Sequence, residues 1–239
     1  MKEWSDVGIV ISSAKYGEKY KIVNVFTKNH GKIPGLISNA KNSRFLAFSK
    51  VDVNWSSRNR DLIGFWKLKN ENQNWTYAVG FKGKMAIIQS VISLLNGALP
   101  IGVKHEELFE IVDMISCKIQ ILSERELLNI YAYLEFVLLE KVGFGFDFEI
   151  CVECGKKEEF CYISPKTGRL VPGNCDSNAK NLFRIPKLWE RWRKGEIFSQ
   201  NFSIDLIDIH NSLEITLFFI RENIFNFDNF FRISLSEIS

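Results

Sequence analysis

Four of the five cysteines lie in one stretch of the chain and have the chemistry of a zinc site. Cys151 and Cys154 form a C-x-x-C turn followed by glycine, in which two thiolates can bind one metal ion. A complete zinc ribbon needs a second such pair about 15–20 residues later. There, Pro172 stands at the expected third ligand position, Cys175 would be the fourth ligand, and Cys161 is a spare thiol that can substitute. Two alternatives stay open: bound zinc, or a degenerate site held by packing.

Motifs of the common enzyme classes are missing. The sequence has no G-x-S-x-G, H-E-x-x-H or G-x-G-x-x-G pattern. Residues 80–84, Gly-Phe-Lys-Gly-Lys, resemble a phosphate-binding loop. However, two residues instead of four separate the glycines, and Met85 replaces the Ser or Thr that would bind magnesium. His30, His105 and His210 have no nucleophile and acid beside them in sequence. We therefore predict that the protein is not an enzyme.

The amino-terminal part offers cations and aromatic rings suited to single-stranded nucleic acid. A cationic groove contacts phosphates, and aromatic rings stack on bases. The candidate cations are Lys15, Lys19, Lys21, Lys41, Arg44, Arg58 and Arg60. The candidate rings are Tyr16, Tyr20, Phe45 and Trp55. Solvated surface is an equal alternative for the loop cations, and burial in the core is favoured for Trp55 and Phe26.

Charge is unevenly distributed along the 239 residues. Residues 1–78 carry 13 Lys and Arg against 6 Asp and Glu, a net charge of +7, whereas the remainder carries −4. This predicts a polyanionic partner for the first part, although frequent Lys and Asn throughout the chain explain some of the excess. No apolar run approaches the ~18 residues that cross a membrane, and the polar start of the chain predicts no signal peptide. We expect a cytoplasmic protein.

Five β-type runs open the chain. They are Val7–Ser12, Lys21–Thr27, Lys32–Ser38, Lys50–Trp55 and Gly64–Leu68. In the last run, Phe65 and Lys67 share one face, while Trp66 and Leu68 share the other. Five short antiparallel strands predict an OB-type barrel, and an SH3-like barrel is the alternative. The polar segment Asn70–Asn74 marks the end of this domain, which we assign to residues 1–78.

Beyond the barrel, the apolar period changes from 2 to about 3.6, which predicts helices over residues 79–239. A capping box formed by Ser123 and Glu126 opens the third helix. Trp189 and Trp192, with Arg191 and Arg193, form either a partner site or a packed tryptophan pair. The predicted helices are Lys84–Asn96 with Gly97 as its stop, Glu106–Leu122, Ser123 to about Gly143, Pro186–Arg193 and Asp208–Asn223.

Several motifs resemble the RecO family of bacterial recombination mediators. They are Y-G-E at 16–18, F-T-x-x-H-G-K at 26–32, G-L at 35–36, L-E-x-x-L-L-x-x-x-G-F-G-F-D at 134–147, C-x-x-C-G at 151–155 and Y-I-S-P-K-T-G-R at 162–169. The resemblance covers most of the chain, and the motifs are specific in combination. The I-S-P-K-T-G-R loop and the incomplete cysteine set are similar to the α-proteobacterial branch.

This resemblance implies an α+β multidomain protein: an OB-type barrel, then an all-α domain with a zinc-finger-like cysteine loop inserted at about 146–181. It implies binding to single- and double-stranded DNA and annealing of complementary strands. It also implies partnership with RecR and with the carboxy-terminal tail of single-stranded DNA-binding protein, so that RecA is loaded onto gapped DNA in the RecF recombination pathway. The implied location is the cytoplasm, at the bacterial nucleoid. Some members of the family have lost the zinc site, so Pro172 leaves the metal open.

A basic-rimmed apolar groove in the helical domain is expected for the acidic tail. Candidate rim residues, each also explained as surface charge, are Lys82, Lys84, Lys118 and Arg125. Three other functions stay open on the residues alone. They are an RNA-binding OB-fold protein, a protein scaffold, and a metal-dependent DNA-processing enzyme using acid pairs such as Asp205 with Asp208 or Glu106 with Glu107.

Overall fold

A computed structural model describes residues 2–38, 47–58, 63–146, 148, 160–172, 182–197 and 205–224. The described residues within Met1–Leu127 form one compact unit, and those within Leu128–Asn229 form a second. The domain boundary near residue 78 stays a prediction. None of the helices in the described ranges is both long and apolar enough to cross a membrane.

The first unit begins with a closed five-stranded barrel in the order β1-β2-β3-β5-β4. Its strands are β1 (Lys2–Tyr16), β2 (Tyr20–Thr27), β3 (Gly31–Ser38), β4 (Lys50–Ser57) and β5 (Gly64–Asn72). All five predicted strands are therefore present, but β3 and β5 pair in parallel, so the prediction of antiparallel strands is wrong for that pair. Strand β1 is longer than predicted because its first half pairs with β4 and its second half with β2. Alternation along the strands fills the interior with Val10, Val23, Val25, Val51, Val53 and Trp66.

Two glycines allow the barrel to close around its tryptophans. Gly35 and Gly64 are partners in the short parallel ladder between β3 and β5. A Cβ at Gly35 would lie 2.5 Å from Trp66 Cδ1, and a Cβ at Gly64 would lie 2.2 Å from Trp55 Cε2. Each glycine therefore leaves the space that an indole ring fills.

Helices α1 (Lys82–Ala98) and α2 (Glu106–Lys118) cover an apolar part of the outside of this barrel. Alternation points Phe26 away from the interior, yet it is completely buried because its ring packs 5.6 Å from that of Phe109 on α2. Asn96 of α1 donates from Nδ2 to the Ile11 carbonyl of β1 at 2.9 Å. The barrel and these two helices thus share one packed interface.

The F-T-x-x-H-G-K motif forms part of this interface. Gly31 has φ +72°, and a Cβ there would lie 1.9 Å from the Val103 carbonyl oxygen. Thr27 Oγ1 donates to the Gly31 carbonyl at 2.9 Å and accepts from His30 N at 3.2 Å. Lys32 is buried, which lowers its pKa, and its ammonium donates to the Asn96 carbonyl near the end of α1 at 2.7 Å. A cation is favourable at that negative end of a helix.

Two predicted helix ends are wrong, and one predicted start is confirmed. Gly97 lies inside α1, and Pro100 ends the helix because it holds Leu99 in an extended conformation (φ −84°, ψ 129°). Helix α2 ends at Lys118, four residues before the predicted Leu122, because the chain turns there, with Ile121 N donating to the Lys118 carbonyl at 3.0 Å. At the start of the next helix, Glu126 N donates to Ser123 Oγ at 3.3 Å and Ser123 N donates to Glu126 Oε2 at 2.8 Å, the predicted capping box.

The second unit combines helices with a small sheet. Helix α3 (Glu124–Lys141) contributes most of its length to this unit. It ends at Lys141, and Gly143, the predicted stop, follows two residues later with φ +90°. The sheet, which the sequence reading missed, has the order β7-β6-β8. The remaining elements are β6 (Phe160–Ile163), β7 (Leu170–Pro172), β8 (Phe183–Arg184), α4 (Lys187–Arg193) and α5 (Leu206–Asn223).

The tryptophans of α4 are packed inside the second unit. Trp189 is completely buried and Trp192 nearly so, and both rings contact Phe136 at 4.8 and 5.5 Å. Trp189 Nε1 donates to Ser212 Oγ at 2.6 Å. Arg193 lies over the Phe148 ring at 4.2 Å. The packed tryptophan pair is therefore the alternative that holds.

Candidate nucleic-acid interface

The β1–β2 hairpin carries most of the predicted nucleic-acid-binding residues that the structure describes. Tyr16 pairs directly with Tyr20, and Lys15 pairs with Lys21. Because direct partners point to the same side of a sheet, the tyrosines occupy one face of the hairpin and these two lysines the other. Lys19 is exposed in the turn. The structure therefore places these residues on one hairpin, but not on one face.

Strand β5 adds a surface that the sequence prediction did not include. Phe65, Lys67 and Lys69 are all exposed and alternate along the strand, so they share its outer side. Phe65 is 47% exposed, and its ring lies 5.9 Å from that of Tyr20 at an interplanar angle of 68°. Tyr16 is 53% exposed. We call Tyr16, Tyr20, Phe65, Lys67 and Lys69 the hairpin–β5 face.

This face has the elements of a surface for a nucleic-acid strand. Its aromatic rings are partly or largely exposed. Its two lysines, Lys67 and Lys69, are exposed two and four residues after Phe65 on the same side of β5. Sequence alternation already placed Phe65 and Lys67 together. Nothing in the sequence indicated the contact between Phe65 and Tyr20, because it joins β5 to β2, two strands far apart in the chain.

The remaining candidates differ in where they lie. Arg58 is exposed immediately after β4. Trp55 packs against the barrel interior, as favoured from the sequence. Phe26 is completely buried too, but on the outer side of the barrel against Phe109 of α2, so a position in the barrel core is wrong for Phe26. Four candidates lie outside the described residues: Lys41, Arg44, Phe45 and Arg60.

Residues 80–84 do not form a phosphate-binding loop. The Glu124 carboxylate lies at the start of α1, where it accepts from Lys84 N at 3.3 Å and would be 2.4 Å from a Cβ at Gly83. The Lys84 side chain is buried and donates from Nζ to the Ile119 carbonyl at 2.7 Å. Lys84 is therefore wrong as a rim residue. Exposed rim candidates that remain are Lys82, Lys118 and Arg125.

The acid pairs considered for catalysis have structural partners. Asp205 caps α5 by accepting from Ile207 N at 2.9 Å. Asp208 accepts from the backbone N–H groups of Lys187 and Leu188 at 3.1 and 2.8 Å, at the start of α4. Glu106 pairs with Lys104 at 2.8 Å, which lowers the Glu106 pKa. These contacts are those of helix caps and surface pairs.

The candidate zinc ligands cannot be placed by their side chains. Cys151, Cys154 and Cys175 lie outside the described residues, and only the main chain of Cys161 is described, in β6. Pro172, at the expected third ligand position, is buried at the end of β7. Among the described residues, no three His, Cys, Asp or Glu side chains are grouped to hold a metal. Zinc binding stays a prediction.

Both parts of the chain match known sequence families. Residues 1–67 match "Recombination protein O N terminal" and residues 83–188 match "Recombination protein O C terminal". Curated relatives named DNA repair protein RecO are similar over most of their length. That of Wolbachia sp. subsp. Drosophila simulans (strain wRi) is 29% identical over 231 residues, which cover 93% of this chain and 92% of the relative. That of Ruegeria sp. (strain TM1040) is 28% identical over 93% of this chain and 90% of the relative. That of Ehrlichia chaffeensis (strain ATCC CRL-10679 / Arkansas) is 30% identical over 77% of each.

Proposed function

Since the chain belongs to the RecO family of DNA repair and recombination proteins, we propose that its OB-type barrel binds single-stranded DNA through the hairpin–β5 face. The observation that carries this proposal is the exposed contact between Tyr20 and Phe65 beside Lys67 and Lys69. Bases stack on the rings, each contributing roughly 1–3 kcal/mol, while the lysines contact phosphates.

The opposite face of the hairpin offers a second, separate place for a phosphate contact. Lys15 and Lys21 are direct cross-strand partners, and like charges so placed destabilise a sheet by a fraction of a kcal/mol. A bound phosphate between them removes that repulsion. Lys19 and Arg58 are further exposed cations of the barrel. Lys41, Arg44 and Arg60, which lie outside the described residues, remain proposed DNA contacts.

Annealing follows from the same contacts without catalysis. The protein screens repulsion between two phosphate backbones and leaves base edges free to pair, which accounts for binding of both single- and double-stranded DNA. We further propose that the helices bind RecR and the tail of single-stranded DNA-binding protein, so that RecA is loaded onto gapped DNA at the nucleoid. Lys82, Lys118 and Arg125 are the exposed cations available for the acidic tail.

Zinc, if bound, would be held by Cys151 and Cys154, with Cys175 and Cys161 as the remaining candidates. Its role would be to hold the inserted loop in shape.

The test is binding of a fluorescent single-stranded oligonucleotide across a salt series. Each phosphate contact contributes about 0.7 to the slope of log K against log salt for single strands. Replacing both Lys67 and Lys69 by alanine should therefore lower the slope by about 1.4. Lys104→Ala is the matched control, since Lys104 pairs with Glu106 at 2.8 Å.

Absence of binding at low salt, or an unchanged slope in the double variant, would contradict the proposed face. A Lys41→Ala, Arg44→Ala variant measured in parallel tests the basic loop separately. An RNA oligonucleotide of the same sequence tests the RNA-binding alternative, which requires tighter binding to RNA than to DNA.

A further inference from the structure

A column of three aromatic rings stands at one end of the barrel. The Trp4 ring lies 3.7 Å from that of His30 with an interplanar angle of 13°, and 5.6 Å from that of Trp55 with an angle of 19°. The three rings are therefore nearly parallel, with Trp4 in contact with both of the others. His30 is the end of the column that belongs to a turn rather than a strand.

His30 is held in a fixed orientation by a buried carboxylate. The Asp6 side chain is 2% exposed, and its Oδ2 lies 3.0 Å from His30 Nδ1. Asp6 also accepts from Asn29 N at 2.8 Å, from Asn29 Nδ2 at 2.9 Å and from Val7 N at 2.9 Å. One face of the imidazole contacts Trp4 and its Nδ1 edge faces Asp6. The side chain is 37% exposed, and these two contacts leave its other ring face and its Nε2 edge available.

This exposed ring lines a cleft of about 720 Å³, which also contacts Lys2, Glu3, Asn29 and Trp55. None of its lining residues belongs to the hairpin–β5 face. Lys2 and Glu3 carry opposite charges at the rim, so the cleft has little net attraction for phosphate. The cleft presents the His30 ring already held in one orientation, with polar groups beside it. Because the ring is fixed before binding, little conformational entropy is lost when a ligand stacks on it.

We infer that the exposed face of His30 is a stacking site for an unpaired base of single-stranded DNA. A base extends the column by one more ring, and its polar edge lies beside the exposed Asn29, which an apolar side chain of a protein partner would not use. Histidine is among the side chains on which unstacked bases stack. This inference rests on the proposed function, because the barrel must already hold the strand.

The test uses the full-length protein and two oligonucleotides at constant pH, one with all its bases and one with abasic sites. Loss of a stacking contact weakens binding by roughly 5- to 150-fold, and we expect about tenfold for His30→Ala on the normal oligonucleotide. Because stacking is not ionic, this factor should be equal at low and high salt. His30→Ala should leave binding to the abasic oligonucleotide unchanged.

His30→Phe keeps a ring but loses the contact with Asp6, so it separates stacking from folding of the turn. It should restore most of the affinity for the normal oligonucleotide. The Lys67→Ala, Lys69→Ala variant is the contrasting control, since it should change the salt slope for both oligonucleotides.

Equal weakening on normal and abasic DNA, or no effect of His30→Ala, overturns the stacking site while leaving salt-dependent binding by the barrel intact. If the wild-type protein binds neither oligonucleotide at low salt, both this inference and the proposed function are overturned.

Discussion

Replacement of Gly64 by alanine should weaken the closure of the barrel. Gly64 sits in the parallel ladder between β3 and β5, and a Cβ there would lie 2.2 Å from Cε2 and 2.5 Å from Cζ2 of Trp55. Carbon atoms in contact lie about 3.5–4.0 Å apart, so the indole must move by more than ~1 Å. The Trp55 indole is rigid and packed against the barrel interior, so it cannot move aside by changing a terminal torsion angle as a flexible side chain can.

The expected loss of stability follows from overpacking a core, which costs about 1–3 kcal/mol of free energy of unfolding. The short distances to two ring carbons place Gly64→Ala at the upper end, about 3 kcal/mol. This raises the equilibrium constant for opening of the barrel by about 150-fold, since ~1.4 kcal/mol is a factor of ten. Gly102→Ala is the control, because no atom lies within 4 Å of its Cβ position. Its left-handed φ of +76° costs about 1–2 kcal/mol.

Hydrogen exchange of peptides from β3 and β5, compared with peptides from α5, measures the opening locally. In a Trp55→Leu background, Gly64→Ala should cost less than about 1 kcal/mol of stability. Compared with about 3 kcal/mol in the wild type, this corresponds to a coupling free energy of roughly 2 kcal/mol between positions 64 and 55. An equal cost of Gly64→Ala with and without the indole would refute the steric explanation.

Two further predictions concern the helices of the first unit. Hydrogen bonds from Ser123 lower the pKa of Glu126, so their stabilisation is present above the ordinary Glu pKa of 4.5 and is lost as pH falls through the lowered value. Ser123→Ala should therefore cost about 1 kcal/mol near neutral pH and less in acid, as measured by urea unfolding at the two pH values; a pH-independent cost would contradict the capping box. Lys84→Met leaves the buried Ile119 carbonyl without its donor and should cost about 1–3 kcal/mol, whereas the exposed Lys82→Met should stay within about 0.5 kcal/mol. Equal melting temperatures for these two variants would show that the Lys84 contact does not stabilise the fold.

The barrel strands could be predicted because their alternation is strong. Val51 and Val53 face the interior in β4, as does Trp66 in β5, where the sequence pattern placed them. The start of β1 at Lys2 was missed because its polar first residues lack a strand pattern and are held by pairing with β4. Such pairing depends on a distant segment and leaves no local signal.

The residues of the candidate site were less predictable for the same reason. Phe65 was predicted to share a strand face with Lys67, but its contact with Tyr20 depends on the closure of the barrel. Lys84 was predicted to be exposed because lysine usually is, whereas its carbonyl partner, Ile119, lies 35 positions away in sequence. Composition indicated a basic amino-terminal part, but it could not tell the exposed lysines there from the buried Lys32.

The covered outer side of the barrel has a practical consequence for dissecting the protein. Ile9, Ile11 and Phe26 are completely buried but do not belong to the barrel interior, and Phe26 contacts Phe109 of α2. A fragment cut after residue 78 would expose Phe26 and would lose Asn96 of α1, which accepts from Lys32 and donates to the Ile11 carbonyl. The barrel is thus not a transplantable module, and an insoluble or inactive fragment would report a missing helical cover rather than a missing binding site.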